Sequence, residues 1–222
     1  MEMMAILFNP MELKEKFRLN NLNDKFWLKE KFWRGLVLAG LLFLVAAIFF
    51  QPTHLTTVDL GRHLANGREV FSHPALLSSN YYSYTEPDQP FINHHWLAGV
   101  IYYGLYFIGG FKILTVFNAV LALAAFYLAF RLAKRYAGFW LPAFLSVPVI
   151  LLMSERVEVR PEMFSYFFIF LLWTWLDAAR RGGNFRRLWP VPILMAVWAN
   201  VHIYFFVGLI LIGIYAVASF RS

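Results

Sequence analysis

The feature that most constrains this chain is a succession of apolar blocks of about 16 to 20 residues carrying almost no charge. A helix needs ~20 apolar residues to cross the ~30 Å of hydrocarbon in a bilayer. Composition points the same way: 60% of the 222 residues are hydrophobic and only 15% are charged. A soluble domain is nearer half and a quarter. Aromatic residues make up 19%, and many Trp and Tyr residues sit at block edges, where amphipathic rings favour the headgroup zone. The expected fold is all-α: a polytopic transmembrane helical bundle of about six spans. Its first outer loop carries short juxtamembrane helices.

The spans are placed at 35–50, 112–131, 138–154, 162–178, 188–201 and 203–220. Residues 1–34 form a basic amphipathic lead-in on the cytoplasmic side. There Lys14, Lys16, Arg18, Lys25, Lys29, Lys31 and Arg34 interleave with Phe17, Phe26, Trp27, Phe32 and Trp33. This pattern suits an anionic membrane surface or a simple positive flank. No small-residue cleavage site follows the first apolar run, so it reads as a retained span rather than a signal peptide. The module 35–222 includes the outer loop 51–111. Within that loop a short helix is expected from Thr57 to Val70, with Thr57 as N-cap. The apolar stretch 96–109 ends at Gly109-Gly110 and is short for a span, so it is expected to lie in the outer interface.

Charge tests the layout. It sends 15 of the 20 Lys and Arg residues inside and leaves Arg62, Arg68, Lys112, Arg156 and Arg160 outside, as the positive-inside rule requires. The net charge of +7 is thereby a matter of orientation, and no nucleic-acid partner is implied. The chain has no Cys, which excludes disulfides and thiol chemistry. No phosphate-binding glycine loop, dinucleotide fingerprint or zinc-protease His pair is present.

The same layout puts all six histidines on the outer side, in polar segments next to span ends. In the first segment, Asp59 and His63 are four residues apart on one helix face, and Arg62 is three from Asp59. A carboxylate beside His and Arg can serve as general base or metal ligand; it can also be a surface salt bridge and a cap. His94 and His95 stand together before Trp96, and because neighbours on a helix diverge only one can point into a site. Arg156, Glu158, Arg160 and Glu162 alternate in sign at a span boundary, where Arg can grip phosphate in bidentate fashion or the charges can pair among themselves. Asn200 and His202 follow Trp198 at the turn between the last two spans, as site groups or as interhelical hydrogen-bond partners.

The segments Asp59-Leu-Gly-Arg-His63-Leu-Ala-Asn-Gly67, Pro90-Phe-Ile-Asn-His94-His95-Trp96-Leu, Arg160-Pro-Glu162-Met-Phe-Ser and Trp198-Ala-Asn200-Val-His202 together resemble the GT-C superfamily of membrane glycosyltransferases. The nearest likeness is to the bacterial branch of protein mannosyltransferases, aminoarabinose transferases and lipopolysaccharide-core sugar transferases. The resemblance covers roughly residues 33 to 220. It implies a chain in the bacterial inner membrane that takes a polyprenyl-phosphate-linked sugar and transfers it to a glycan, lipid or protein acceptor at the outer face. By position Asp59 would be the catalytic acid residue of the first outer loop, acting as general base or, with His63, holding a divalent cation. Arg62, His63, His94, His95, Arg156, Arg160, Glu162, Asn200 and His202 would bind substrate. Many relatives carry Asp-Glu where this chain has Asp59-Leu60, and they are usually longer, so the chain reads as such an enzyme or as its N-terminal module. Two rival expectations are a non-catalytic lipid- or glycan-binding membrane subunit and a transporter.

Overall fold

The computed structural model describes residues 10–53, 59–74, 83–86, 89–90 and 93–220. His54, Thr57, the proposed N-cap, and Arg221 lie outside these. Every element among the described residues is helical, with no strand. The chain divides into two units, Met1–Leu41 and Leu42–Ser222.

Helix α1 runs Pro10–Phe49. In the first unit its Arg34 pairs with Glu30 one turn earlier, at 2.5 Å, a spacing that brings opposite charges together on a helix surface. The stretch Trp27–Phe49 is long and apolar enough to cross a membrane.

The second unit holds the remaining helices. Helix α2 is Leu60–Ser72, so it starts three residues later than the expected Thr57 and continues two past Val70. Its buried residues Leu60, His63, Asn66, Gly67 and Val70 recur every three or four positions and form one face. That face packs on helix α3, Trp96–Ala137. The crossing is close because both helices present glycine. A Cβ on Gly67 would fall 2.0 Å from the Gly99 carbonyl oxygen.

Helix α3 has two arms, 96–108 and 111–137, separated at Gly109 and Gly110. Gly110 has φ 63° and ψ −152°, a region open essentially to glycine alone. The break lets the first arm fold back beside the second. Tyr102 from the first arm and Phe117 from the second both meet the Phe164 ring, at centroid distances of 5.8 and 5.5 Å.

Helices α4 (Trp140–Ser154), α5 (Glu162–Gly182), α6 (Val191–Val201) and α7 (Phe205–Phe220) complete the unit, with a 3-10 turn at Phe185–Leu188. Pro161 precedes α5, and Gly183 at φ 60° ends it, the usual proline-first, glycine-last arrangement. Contacts fix the directions. The second arm of α3 and α5 run parallel, meeting through Phe117 and Phe164 at one end and Arg135 and Asp177 at the other. α6 runs back, returning the chain to Ser165 near the start of α5, where His202 meets it. α7 then runs forward again, so that Tyr215 and Ala216 lie beside Leu176 and Arg180 of α5. The unit therefore has two ends: a polar end at His95, Glu162 and His202, and a basic end at Arg135, Asp177 and Arg180.

By length and composition two helices qualify as membrane-crossing, the stretch Trp27–Phe49 of α1 and α3. At ~1.5 Å per residue, the 21 residues of α5 reach about 31 Å, whereas the 15, 11 and 16 residues of α4, α6 and α7 reach about 22, 16 and 24 Å.

The glycine crossing carries a prediction. Gly67→Ala must push the α2 and α3 backbones apart, an overpacking cost of roughly 1–3 kcal/mol, which lowers the unfolding temperature by several degrees. Gly104→Ala meets no atom within 4 Å and should leave it unchanged or slightly raised. Thermal unfolding of both variants in detergent checks this; equal behaviour would mean the crossing is not tight.

Candidate functional site

The polar end gathers residues from α2, the start of α3, the start of α5 and the α6–α7 turn. Asp59 occupies the position before α2. Its side chain makes no cap hydrogen bond; instead Oδ1 accepts from the Arg62 guanidinium at 3.2 Å, and its carbonyl accepts from the His63 amide. Both charged groups are partly exposed. His63, one turn on, is buried at 3% exposure.

Three histidines converge there. The His63 and His95 ring centroids are 5.9 Å apart, and those of His95 and His202 are 5.2 Å apart. Burial, and then the Arg62 charge, hold the His63 pKa down at about 4. Burial, and then His95, do the same for His202, also to about 4. His95 is lowered by burial and by Arg62 and His94. The cluster is therefore neutral at pH 7. His94 is exposed, and of the adjacent pair it is His95 that turns inward.

The imidazole of His202 is oriented by a buried network. Its Nδ1 lies 2.9 Å from Ser165 Oγ, and the Trp198 indole N–H donates to the same oxygen at 2.8 Å. An indole is only a donor. The arrangement that satisfies all three groups has Ser165 accept from Trp198 and donate to Nδ1, leaving the proton of neutral His202 on Nε2. Asn200 ties the α6 end to the α3 start, its Oδ1 accepting from Trp96 Nε1 at 2.7 Å. Tyr102, with its ring 6.2 Å from His63, is fully buried, and among the described residues its hydroxyl has no hydrogen-bond partner. It is a hydrogen-bonding group at the cluster that the described residues leave unpaired.

The other expected site residues form a neighbouring group. Arg160 pairs with Glu158. The backbone of that turn is pinned from α3, where Asn118 Nδ2 donates to the Val157 carbonyl at 2.9 Å. Arg156 and Glu162 lie within electrostatic reach of Tyr166, as does Tyr204. Tyr204 in turn packs edge-on against His202, 4.4 Å between centroids, and so links the two groups.

Asp59 and His63 supply two metal-type donors, one of them already engaged by Arg62. No group of three or more His, Asp or Glu side chains among the described residues is placed to hold a metal ion.

Sequence spacing did not expose Ser165, Tyr102, Tyr204 or Asp177. The Trp198 and His202 separation of one helical turn was the only signal for the Ser165 network. Asp177 is 3% exposed at the basic end. Its carboxylate accepts from Arg135 at 2.7 Å, Arg181 at 2.5 Å and the Tyr136 hydroxyl at 2.5 Å.

Comparison with family models, curated proteins and solved structures finds no match.

The neutral histidines predict a pH dependence. Their folded pKa lies below the unfolded value, so the unfolded chain binds more protons between pH 6.5 and about 4. Stability should be full above pH 6.5, fall as pH drops through that window, and level off below it. The slope is at most ~1.4 kcal/mol per histidine for each pH unit. His202→Gln should flatten the profile in an unfolding series from pH 8 to 4; an unchanged slope would contradict the assignment.

Proposed function

We propose that the chain is an integral membrane protein of the GT-C glycosyltransferase type, or a module of one, whose polar end lies at the outer face of the bacterial inner membrane. Three observations support insertion. Leu141, Phe144, Leu145, Leu151 and Leu152 of α4 and Phe206, Leu209, Ile210 and Ile214 of α7 are exposed, a larger apolar surface than soluble monomers leave open. Lys134, Arg135, Arg180, Arg181, Arg186 and Arg187 lie at the end opposite the histidines, against Arg62, Arg156 and Arg160 at the polar end, a bias that membrane orientation favours. Helix α5, which joins the two ends, has 21 residues and reaches about 31 Å, close to the ~30 Å of the hydrocarbon core.

The observation that carries the catalytic reading is the convergence of Asp59, Arg62 and His63 with His95 and His202 from three separate elements. In the proposed reaction the acceptor hydroxyl oxygen bonds to the anomeric carbon of the donor sugar. The bond from that carbon to the phosphate oxygen breaks, and polyprenyl phosphate leaves with the electron pair. Asp59 takes the hydroxyl proton. Arg62 engages Oδ1, which leaves Oδ2 for the proton. Arg62 and Arg156 offer positive charge where the departing phosphate develops negative charge, usually the larger catalytic contribution. Arg160 already carries Glu158 and offers less. The neutral histidines, Asn200 and the Tyr102 hydroxyl supply uncharged hydrogen-bonding groups suited to sugar hydroxyls; exposed His94 is placed for the acceptor side.

A second reading, a non-catalytic lipid- or glycan-binding subunit, draws on the Asp59–Arg62 ion pair, which is also what a structural charge pair looks like.

The test is sugar transfer from polyprenyl-phosphate-linked donors by the full chain in liposomes. Asp59→Asn should cut transfer by roughly 10²–10⁴-fold, the usual worth of a positioned acid–base group, with unfolding temperature preserved. Unchanged transfer by a folded variant would remove Asp59 from the reaction. Saturable binding of the donor without turnover by the unmodified chain would favour the second reading.

A further inference from the structure

We propose that the basic end of the second unit holds an anionic phospholipid, with one acyl chain between α5 and α7 and its phosphate on Arg180. The site is distinct from the histidine cluster, at the opposite end of α5. A cavity of about 320 Å³ opens there, lined by Leu176, Arg180, Phe185, Leu188, Tyr215 and Ala216 among others. Its wall is almost wholly apolar, and Arg180 is the one charged group on it.

Charge decides the occupant. Asp177 is the acid buried in this end, and it is already matched by Arg135 and Arg181. Among the described residues no ion pair engages Arg180, Arg186 or Arg187, all exposed around the mouth. An apolar slot rimmed by uncompensated guanidinium groups fits a molecule with a hydrocarbon tail and a phosphate head, since guanidinium matches phosphate oxygens in bidentate fashion. Basic pockets between membrane helices are suited to such headgroups. Exposed Trp189 and Phe185 flank the same segment, where interfacial aromatics belong. The inference rests on the membrane reading above but not on glycosyl transfer.

The experiment follows the unfolding temperature of the full chain in detergent as lipid is added. Phosphatidylglycerol should raise it saturably, while phosphatidylcholine with the same acyl chains and glycerol 3-phosphate should not. Arg180→Gln should weaken half-saturation by phosphatidylglycerol about fivefold, the effect of one surface cation. Ala216→Phe fills the cavity without changing charge and should abolish the shift. Equal shifts from both lipids, a shift from glycerol 3-phosphate alone, or an intact shift in Arg180→Gln would each overturn the proposal. Flotation with vesicles separates the two readings. A chain that floats but shows no lipid selectivity sinks only this site, and a chain that does not float sinks the membrane reading as well.

Discussion

The polar end depends on the backbone break at Gly109 and Gly110. A continuous α3 would carry His95 and Tyr102 far from α5. With Gly110 at φ 63°, the first arm returns to Phe164, and α2 rides on it through the Gly67–Gly99 crossing. His63 therefore reaches His95 and His202 only because two glycine features act in series, one turning the chain and one letting two backbones touch. The Ser165 hydroxyl completes the arrangement from the other side by fixing His202 and Trp198 together.

Much of the architecture was legible in the sequence, and for physical reasons. Apolar block length and the paucity of charge dictate helices, and every element among the described residues is helical. Gly109-Gly110 was read as the end of a short apolar helix, and the break falls there. The i,i+3 spacing of Asp59 and Arg62 foretold their ion pair, because neighbours on a helix need no tertiary information. Pairings across the chain were not legible: Trp96 with Asn200, Ser165 with His202, and Asp177 with Arg135 are separated by 104, 37 and 42 positions. Nothing local encodes them. The six-span layout drawn from the blocks meets two helices that are both long and apolar enough to cross and two shorter apolar ones among the described residues, since block length in sequence does not settle how a short helix sits in a bilayer.

The two ends of α5 explain how one bundle can carry polar chemistry and still suit lipid. Charge at the basic end is internally matched around Asp177, with surplus Arg outside. Charge at the polar end is confined to Asp59, the arginines and the glutamates near exposed edges, while the buried histidines remain neutral. Burying them charged would cost far more than burying them neutral. A neutral cluster beside a single carboxylate and its guanidinium can bind hydroxyl-rich ligands without repelling a lipid phosphate.

The central claim is that these two ends face opposite sides of a membrane. The natural chain has no Cys, so single cysteines at exposed positions 94 and 156, and at 134 and 184, can be labelled with an impermeant reagent in oriented vesicles and intact cells. The account predicts that 94 and 156 react only from outside and 134 and 184 only from inside. Labelling of 94 and 156 from opposite sides, or of 94 and 134 from the same side, would contradict it.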